Sequence, residues 1–328
     1  MTVSFVLNNK PGQVSDETRD RVLRTIREMG YRPRAAIRRA APEATIHTVG
    51  IASGVSSGSF VEGGYYASIL SSVLFTAEER GMNTLLFHRS LFHTEPHESI
   101  RTYLDGKCDG LLLVAPQPDM PLIPALIERG IPFVCIGDQP PHEAASFVDV
   151  DNVKEAMVAT RHLIELGHRR IGFVGGPEFV RSACQRREGF RLALGEHGVP
   201  YVPEWDSGPT VWNFEQYDWV VRLMRDKTAI RPTAFFVWND ESAIRTLTAL
   251  RDLNRRIPEQ ISIIGFDDDP ATLQTNPPLT TLRQPFREIG AIAVDALIGR
   301  IKDPHAPPPR VLLPTKLLVR DSTAPPPA

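Results

Sequence analysis

The amino-acid sequence predicts an α/β protein whose body has two parallel, doubly wound lobes behind a small all-α head. Short apolar runs alternate with longer amphipathic runs along the body, and this alternation ends and then starts again near residue 170. Strands that alternate with helices form parallel sheets with helices on both faces. The head stands apart by charge, because residues 1–40 hold nine basic and four acidic side chains while the whole chain has a net charge of −2.

The head carries helix signals in a definite order. Residues Thr2–Asn8 are predicted as a short helix, followed by a loop of turn-forming residues. Ser15 is a predicted N-cap, and apolar residues recur at helical spacing over Ser15–Met29. Gly30 is predicted to end this helix, and Arg34–Arg39 forms a second short, basic helical segment. A cationic head on an anionic body is typical of a nucleic-acid-binding appendage, although a solvated basic helix explains the charge equally well.

The first series in the body predicts one lobe. Asp109–Ala115 is continuously apolar, as expected for a central parallel strand. The predicted strands are His47–Ala52, Met82–His88, Asp109–Ala115 and Ile131–Gly137. One predicted helix ends near Arg80, and three others span Glu95–Leu104, Leu122–Arg129 and Asp151–Gly167.

The second series predicts the other lobe. Its strands are expected at Arg170–Gly175, near Val202–Ser207, at Ala234–Trp238 and at Ile261–Phe266, and its helices at Arg187–His197, Glu215–Arg225 and Glu241–Leu253. After Thr281, a helix at Pro285–Arg300 and short strands at Val311–Leu313 and Lys316–Val319 are predicted to return across the junction. The last prolines, Pro325–Pro327, are interpreted as a disordered tail.

Composition narrows the class of protein. No run of about eighteen apolar residues predicts a membrane span, and the polar N-terminus lacks the apolar core of a signal peptide. The three cysteines are widely spaced and form no metal-binding pattern, so a reducing cytoplasm is expected. No nucleophile elbow, P-loop, zinc-protease or dinucleotide motif occurs, and the sequence therefore predicts no enzyme, no metal and no cofactor.

Polar residues follow the predicted strands of both lobes. In open α/β sheets, ligands bind at the carboxyl ends of the strands. These groups are Ser53–Ser59, His88–Ser90, Gly137–Gln139, Gly175–Pro177, Asn239-Asp240 and Asp267–Asp269. We expect them to converge on a cleft between the lobes that takes a small polar ligand.

The head also carries a set of residues with definite spacing: Thr2–Ser4, Val6–Asn8, Val14–Arg19, Val22-Leu23, Ile26 and Gly30–Pro33. Through these residues it resembles the DNA-binding head of the lactose/purine repressor (LacI-type) family of bacterial transcription regulators. In that family a helix-turn-helix precedes a third helix and a hinge helix. The resemblance implies DNA contacts from Thr2, Ser4, Asn8, Tyr31, Arg32, Arg34, Arg38 and Arg39.

This head departs from the family pattern in two ways. The family has roughly twenty further residues before the position of Met1, so the helix-turn-helix is incomplete here. A late start-codon assignment, a trimmed chain and a headless relative that has lost DNA binding all remain open explanations. In addition, Phe5 stands at a position that is usually polar or basic, and Ala40 stands where the hinge helix usually offers a leucine to the minor groove.

The body resembles the same family over nearly its whole length. The matching residues are Glu165–Phe173, Gly175–Pro177, Arg187–Phe190, Pro232–Ala234, Asn239-Asp240, Ile257-Pro258, Ser262–Asp267, Pro278–Thr281 and Gln284-Pro285. The resemblance implies a periplasmic-binding-protein-like body with two lobes around one effector. It divides the chain into a head and hinge at 1–45 and a body at 46–328. The first lobe is expected at about 46–160 plus 284–318, and the second at about 161–283 plus 319–328.

The resemblance places Arg187, Asn239 and Asp267 at positions that often hydrogen-bond the effector. A guanidinium, an amide and a carboxylate suit the vicinal hydroxyls of a sugar. Each residue also has a plain structural interpretation: Asn239 as a helix cap, Arg187 as the partner of a nearby carboxylate, and Asp267 as a loop-holding group. Further candidate contacts are Trp212, Tyr65, Ser53, Asp151 and Arg181; for the aromatic pair ordinary packing is an equal alternative, and Asp151 is equally interpreted as an N-cap.

These observations favour an effector-responsive, DNA-binding transcription regulator of the repressor type. Its expected partners are a small carbohydrate, a double-stranded DNA operator if the native head is complete, and a second copy of the chain in a dimer or a tetramer. The alternative is a headless cytoplasmic sugar sensor or a solute-binding protein that does not bind DNA.

Overall fold

The computed structural model describes residues 14–28, 48–53, 64–87, 91, 95–104, 106–117, 120–210, 214–226 and 230–327. In the head it shows helix α1 (Asp16–Glu28). The hydroxyl oxygen of Ser15 accepts a hydrogen bond from the backbone N–H of Thr18 at 3.3 Å, which confirms the predicted cap. The predicted elements Thr2–Asn8 and Arg34–Arg39, together with the predicted C-cap Gly30, lie outside the described residues.

The first lobe is built on a six-stranded parallel sheet in the order β10-β5-β4-β3-β1-β2. Its strands are β1 (Thr48–Ser53), β2 (Asn83–Leu86), β3 (Gly110–Val114), β4 (Phe133–Ile136), β5 (Ser146–Val150) and β10 (Arg310–Leu313). Its helices are α2 (Gly64–Glu79), α3 (Pro96–Ser99), which continues as a π-helical turn at Ile100–Leu104, α4 (Leu122–Glu128) and α9 (Phe286–Lys302). Every residue of β3 is buried, as expected for a central parallel strand.

The second lobe is built on the parallel sheet β6-β7-β8. Its strands are β6 (Ile171–Val174), β7 (Ala234–Val237) and β8 (Ser262–Ile264), and its helices are α5 (Asn152–Glu165), α6 (Arg181–Glu196), α7 (Phe214–Arg225) and α8 (Asp240–Asp252). Between the lobes β9 (Thr281–Arg283) pairs antiparallel with β11 (Lys316–Leu318). The core of this lobe includes Phe173, whose ring centroid lies 5.2 Å from that of Phe190 and 5.4 Å from that of Phe236.

The chain crosses between the lobes three times, at residue 151, at 284–285 and at 314–315. Helix α5 packs along α6 of the second lobe. Packing therefore assigns residues 152–160 to the second lobe, whereas the sequence-based division assigned them to the first. Strand β11, expected in the first lobe, pairs with β9 at the junction.

The structure differs from the prediction at three elements. Strand β5 was not predicted, because its sequence SFVDV mixes polar and apolar residues although all five positions are buried. The expected strand at Val202–Ser207 is a short 3-10 helix at Pro203–Trp205 with a single bridge from Asp206 to Phe173. Helix α6 begins at Arg181, six residues before the predicted start at Arg187.

The chain remains packed up to Ala324, the residue directly before Pro325–Pro327, which were predicted to form a disordered tail. The Ser322 side chain is fully buried, donates a hydrogen bond to the carbonyl of Ile263 at 2.6 Å and accepts one from the N–H of Thr280 at 2.8 Å. The backbone N–H of Ala324 donates to the hydroxyl of Ser262 at 3.0 Å. The tail therefore extends the edge of the second lobe beside β8.

Candidate functional site

A cavity lies between the two lobes at the carboxyl ends of both sheets. The strand order β2-β1-β3-β4-β5 places the topological switch point of the first lobe between β1 and β3, which is where doubly wound sheets bind ligands. The first lobe lines the cavity with Gly64, Tyr65, Tyr66, Ala115, Gly137 and Asp149; the second lobe and the junction line it with Val180, Ser182, Arg186, Trp238, Asn239, Glu241, Asp267, Asp269 and Gln284.

Aromatic rings form the first-lobe wall of the cavity. The ring of Tyr65 meets Tyr66 edge-on at 5.4 Å between centroids and Phe286 at 5.6 Å. Its hydroxyl lies against Gly137, where an added Cβ would stand 1.9 Å from that oxygen and where φ is +73°. Glycine is therefore required at 137 both by the backbone and by the tyrosine. Burial raises the pKa of Tyr65 well above its ordinary value, so the phenol stays protonated and can donate a hydrogen bond.

Arg186 is the buried cation of the cavity. Its guanidinium donates to the side-chain oxygen of Asn152 at 2.9 Å and to the carbonyl of Trp238 at 2.7 Å. The same group stacks on the ring of Phe266 at 3.6 Å. One guanidinium nitrogen lies 3.5 Å from a carboxylate oxygen of Asp267, which makes these residues an ion pair on the cavity wall.

Asp267 stands at the end of β8 in a strained backbone. Its φ is +125° and that of Asp268 is +65°, a region that disfavours residues with a side chain. The Asp267 carboxylate accepts a hydrogen bond from the amide of Gln284 at 2.7 Å. Strain of this kind accumulates at functional sites, where the surrounding structure holds it in place.

Two neighbouring carboxyl groups compete for ionisation behind this wall. Burial raises the pKa of Asp240, and the nearby charge of Asp267 raises it further. Burial also raises the pKa of Asp267, but Arg186 opposes that shift. Asp240 is held by the hydroxyl of Thr281 at 2.7 Å and by the N–H of Asp269 at 2.9 Å. The proton of the pair therefore stays on Asp240, and Asp267 presents the charge to the cavity.

The predicted effector residues separate into two groups. Tyr65, Asn239 and Asp267 line the cavity. Asn239 is also the N-cap of α8, because its side-chain oxygen accepts from the N–H of Ser242 at 3.0 Å. Arg181 lies beside the cavity, where it donates to the carboxylate of Asp138 in the other lobe at 2.8 Å.

The remaining predicted residues are placed elsewhere. Asp151 caps α5 by accepting from the N–H of Lys154 at 3.0 Å, and it is not among the described residues that line the cavity. Ser53 is buried at the end of β1 and likewise is absent from that lining. Trp212 lies outside the described residues, as do all eight predicted DNA contacts, Thr2, Ser4, Asn8, Tyr31, Arg32, Arg34, Arg38 and Arg39.

Arg187 requires a correction. Its guanidinium donates to the carboxylate of Asp206 at 2.7 Å, away from the described lining of the cavity. The adjacent Arg186 points into the cavity instead, because consecutive residues on a helix project about 100° apart. The structural alternative for Arg187, pairing with a carboxylate, is the arrangement observed.

Sequence reasoning missed several residues of the cavity, among them Arg186, Asp149 and Trp238. Arg186 was missed because the prediction chose the adjacent Arg187. Arg186 lies one helical turn before Gly189, where α6 approaches α5 closely. Asp149 was missed because strand β5 was missed. Trp238 was read only as the end of a strand, yet its ring lines the cavity and its N–H donates to Ser242 at 2.9 Å.

Among the described residues, no helix is long and apolar enough to cross a membrane. Within the same part of the chain, no three His, Cys, Asp or Glu side chains are grouped so that they could hold a metal ion.

The chain is similar to known protein families at both ends. Residues 1–34 match the family described as bacterial regulatory proteins, lacI family. Residues 160–323 match the periplasmic binding protein-like domain.

Several characterised proteins resemble the chain over nearly its full length. The HTH-type transcriptional regulator CelR of Thermobifida fusca is 35% identical, with 98% of this chain and 94% of that protein covered. The HTH-type transcriptional repressor PurR of Vibrio vulnificus is 32% identical over the same shares of the two chains. A solved structure of a transcriptional regulator CelR–cellobiose complex superposes with a TM-score of 0.75 at 33% identity, covering 97% of this chain and 94% of that one.

Proposed function

The chain belongs to the LacI family of bacterial regulatory proteins, and on that premise we propose that a sugar bound between its lobes controls its binding to operator DNA. The observation that carries this proposal is the mixed wall of the cavity. Tyr65, Tyr66 and Trp238 offer flat apolar faces, while Asn239 and Asp267 offer donors and acceptors. Sugars present apolar C–H faces, which stack on the aromatic rings, together with hydroxyl groups, which hydrogen-bond to the polar side chains.

The similarity to CelR supports a sugar as the ligand, because the CelR structure is described as a cellobiose complex. In this chain, Asp267 is the acceptor for a pair of ligand hydroxyls. The oxygen of Asn239 is engaged in capping α8, so its amide N–H₂ group is the part that serves a ligand. Tyr65 adds a phenolic donor and a ring for stacking.

Ligand binding controls the separation of the lobes in this proposal. Arg181 and Asp138 form an ion pair from one lobe to the other, and Gly64 approaches Asp269 so closely that an added Cβ would lie 1.8 Å from its carboxylate. A ligand that touches both walls favours this closed arrangement over an open one through its differential affinity for the two states. The change in lobe arrangement is transmitted to the segment before residue 48 and thereby changes the binding to DNA.

The wider organisation follows the family. We propose a head and hinge at residues 1–45 and a body from 46 to 328, with two copies paired so that their heads meet a palindromic operator in the cytoplasm. The match of residues 1–34 to the lacI family weighs against a solute-binding protein that lacks DNA binding.

A thermal-shift screen tests the ligand assignment. The purified chain is screened against monosaccharides, disaccharides, sugar acids, polyols and nucleobases. A ligand at a hundredfold excess over its Kd stabilises the folded state by about 2.7 kcal/mol. The shift should vanish in Asp267→Asn, which removes one carboxylate charge from the cavity wall, and persist in Arg187→Gln, which alters a neighbouring ion pair outside it. A screen without a sugar hit, or a hit that survives Asp267→Asn, would contradict the proposal.

A further inference from the structure

The wall of the cavity is richer in negative than in positive groups. Four carboxylates, Asp149, Glu241, Asp267 and Asp269, face a single guanidinium, Arg186, among the described lining residues. The charge that a ligand meets therefore depends on how many of these groups are already paired within the protein.

Arg186 is largely engaged by protein groups although it lines the cavity. Its Nε donates to Asn152, its Nη1 donates to the carbonyl of Trp238 and faces Asp267, and its plane lies on Phe266. A guanidinium binds a carboxylate or a phosphate best through two parallel N–H groups, and here each such pair has one nitrogen already engaged by the protein.

The carboxylates differ in their partners. Glu241 forms an ion pair with Arg245 at 3.2 Å, and Asp267 faces Arg186. Asp149 and Asp269 accept hydrogen bonds from N–H groups, but neither forms an ion pair with any cation in the described part of the chain. The cavity wall thus retains negative charge after its internal pairs are counted.

Asp149 is the most confined of these groups. It is 3% exposed and lies at the end of β5 on the first-lobe wall. One oxygen accepts from the N–H of Val150 at 2.8 Å; the other accepts from the amides of Gln139 at 3.2 Å and Asn152 at 3.0 Å. Burial raises the pKa of Asp149 to about 6, while the hydrogen bonds from Gln139 and Val150 and the charge of Arg186 oppose that rise. No cation of the described residues forms an ion pair with Asp149, so a ligand that brings a cation into direct contact stabilises the buried carboxylate further.

We propose that the cavity selects its effector by charge: Asp149 holds the protonated amine of an amino sugar, and sugar acids and sugar phosphates are excluded. The proposal rests on the sugar function proposed above and assigns its chemical class. An anionic sugar meets Asp149 and Asp269 with no free guanidinium to offset them. A neutral sugar fits the same walls but brings no cation into direct contact with Asp149.

Titration calorimetry at pH 7 with three β-1,4-linked disaccharides of matched shape tests this assignment. They are cellobiose, the glucosamine disaccharide, whose amines are largely protonated, and cellobionic acid. The glucosamine disaccharide should bind at least tenfold more tightly than cellobiose, and cellobionic acid at least tenfold more weakly. Asp149→Asn should bring the first two within about twofold of each other, whereas Asp218→Asn, on an exposed face of α7, should preserve the whole order.

The outcomes separate this inference from the function on which it rests. If cellobiose and the glucosamine disaccharide bind the unaltered protein equally, or the acid binds best, selection by charge is wrong while a sugar site stands. If the amine preference survives Asp149→Asn, Asp149 is not its source. If none of the three binds, and the monosaccharides glucose, glucosamine and gluconate also fail, the sugar function falls and this inference with it. The series on the unaltered protein decides the charge preference even if Asp149→Asn does not fold.

Discussion

The adjacent arginines of α6 allow one prediction to be worked out in full. Replacing Arg186 by Met removes the cation beside the buried Asp267 and leaves the carbonyl of Trp238 and the side-chain oxygen of Asn152 without their donor. Breaking a buried ion pair from one side destabilises a protein by about 3–5 kcal/mol. We expect a loss of that size in the free energy of unfolding at pH 8.

Arg187→Met is the matched control. The Arg187 side chain is 25% exposed, and its partner Asp206 keeps Arg191 at 3.3 Å and the hydroxyl of Tyr201 at 2.7 Å. Because the buried carboxylate retains other partners and the lost pair is partly solvated, the expected loss is only about 1 kcal/mol or less.

The stability deficit of Arg186→Met should depend on pH, and the Asp267 carboxyl group sets the direction of that dependence. Burial raises the pKa of Asp267 and Arg186 opposes that shift, so without Arg186 the folded-state pKa rises further. A carboxyl group whose folded-state pKa lies above its unfolded value destabilises the protein at high pH, and the penalty disappears as the group is protonated. The deficit of Arg186→Met should therefore be largest at pH 8 and smaller at pH 5.

Urea unfolding followed by circular dichroism, at both pH values, measures all three proteins. Equal losses for the two variants would refute the placement of Arg186 in the buried pair. A deficit in Arg186→Met that grows as the pH falls would refute the role assigned to the Asp267 charge.

Two further predictions concern packing. Gly189→Ala should destabilise the protein by about 1–3 kcal/mol, because the new Cβ would lie 2.1 Å from the carbonyl oxygen of Val153. The control Gly195→Ala, on the same helix with open space around it, should stabilise the protein by up to about 1 kcal/mol. Thermal unfolding compares the two variants. Equal effects would contradict the close approach of α5 and α6. Ser322→Ala should lower the free energy of unfolding by about 2–4 kcal/mol, since two buried backbone groups lose their partner; a loss under about 0.5 kcal/mol would show that the tail is not docked in solution.

The alternation of apolar and amphipathic runs predicted most of the body because parallel sheets leave a strong periodic signal. Strand β5 was not predicted because its pattern SFVDV includes two polar residues whose burial depends on neighbours far away in sequence. The short 3-10 helix at Pro203–Trp205 was wrongly predicted as a strand, because the apolar residues there pack under a loop and do not form a strand.

Residues that directly follow a strand could be placed at the cavity from the sequence. Asn239 and Asp267 are placed by the ends of β7 and β8, and a sequence shows those ends. Arg186 and Arg187 differ only in the direction in which each leaves the helix, which is set by the packing of α6 on α5. Which of two neighbouring arginines lines the cavity is therefore shown only by the tertiary structure.

The threefold crossing has a consequence for how the protein is made. Helix α9 packs on α2 and on β3, β4 and β5, and β10 completes the first sheet beside β5. The lobe that is synthesised first thus lacks a helix and an edge strand until residue 313 has left the ribosome. During that time the nascent chain exposes the apolar face that α9 later covers, so the first lobe depends on protection from aggregation until that helix and strand β10 have been synthesised.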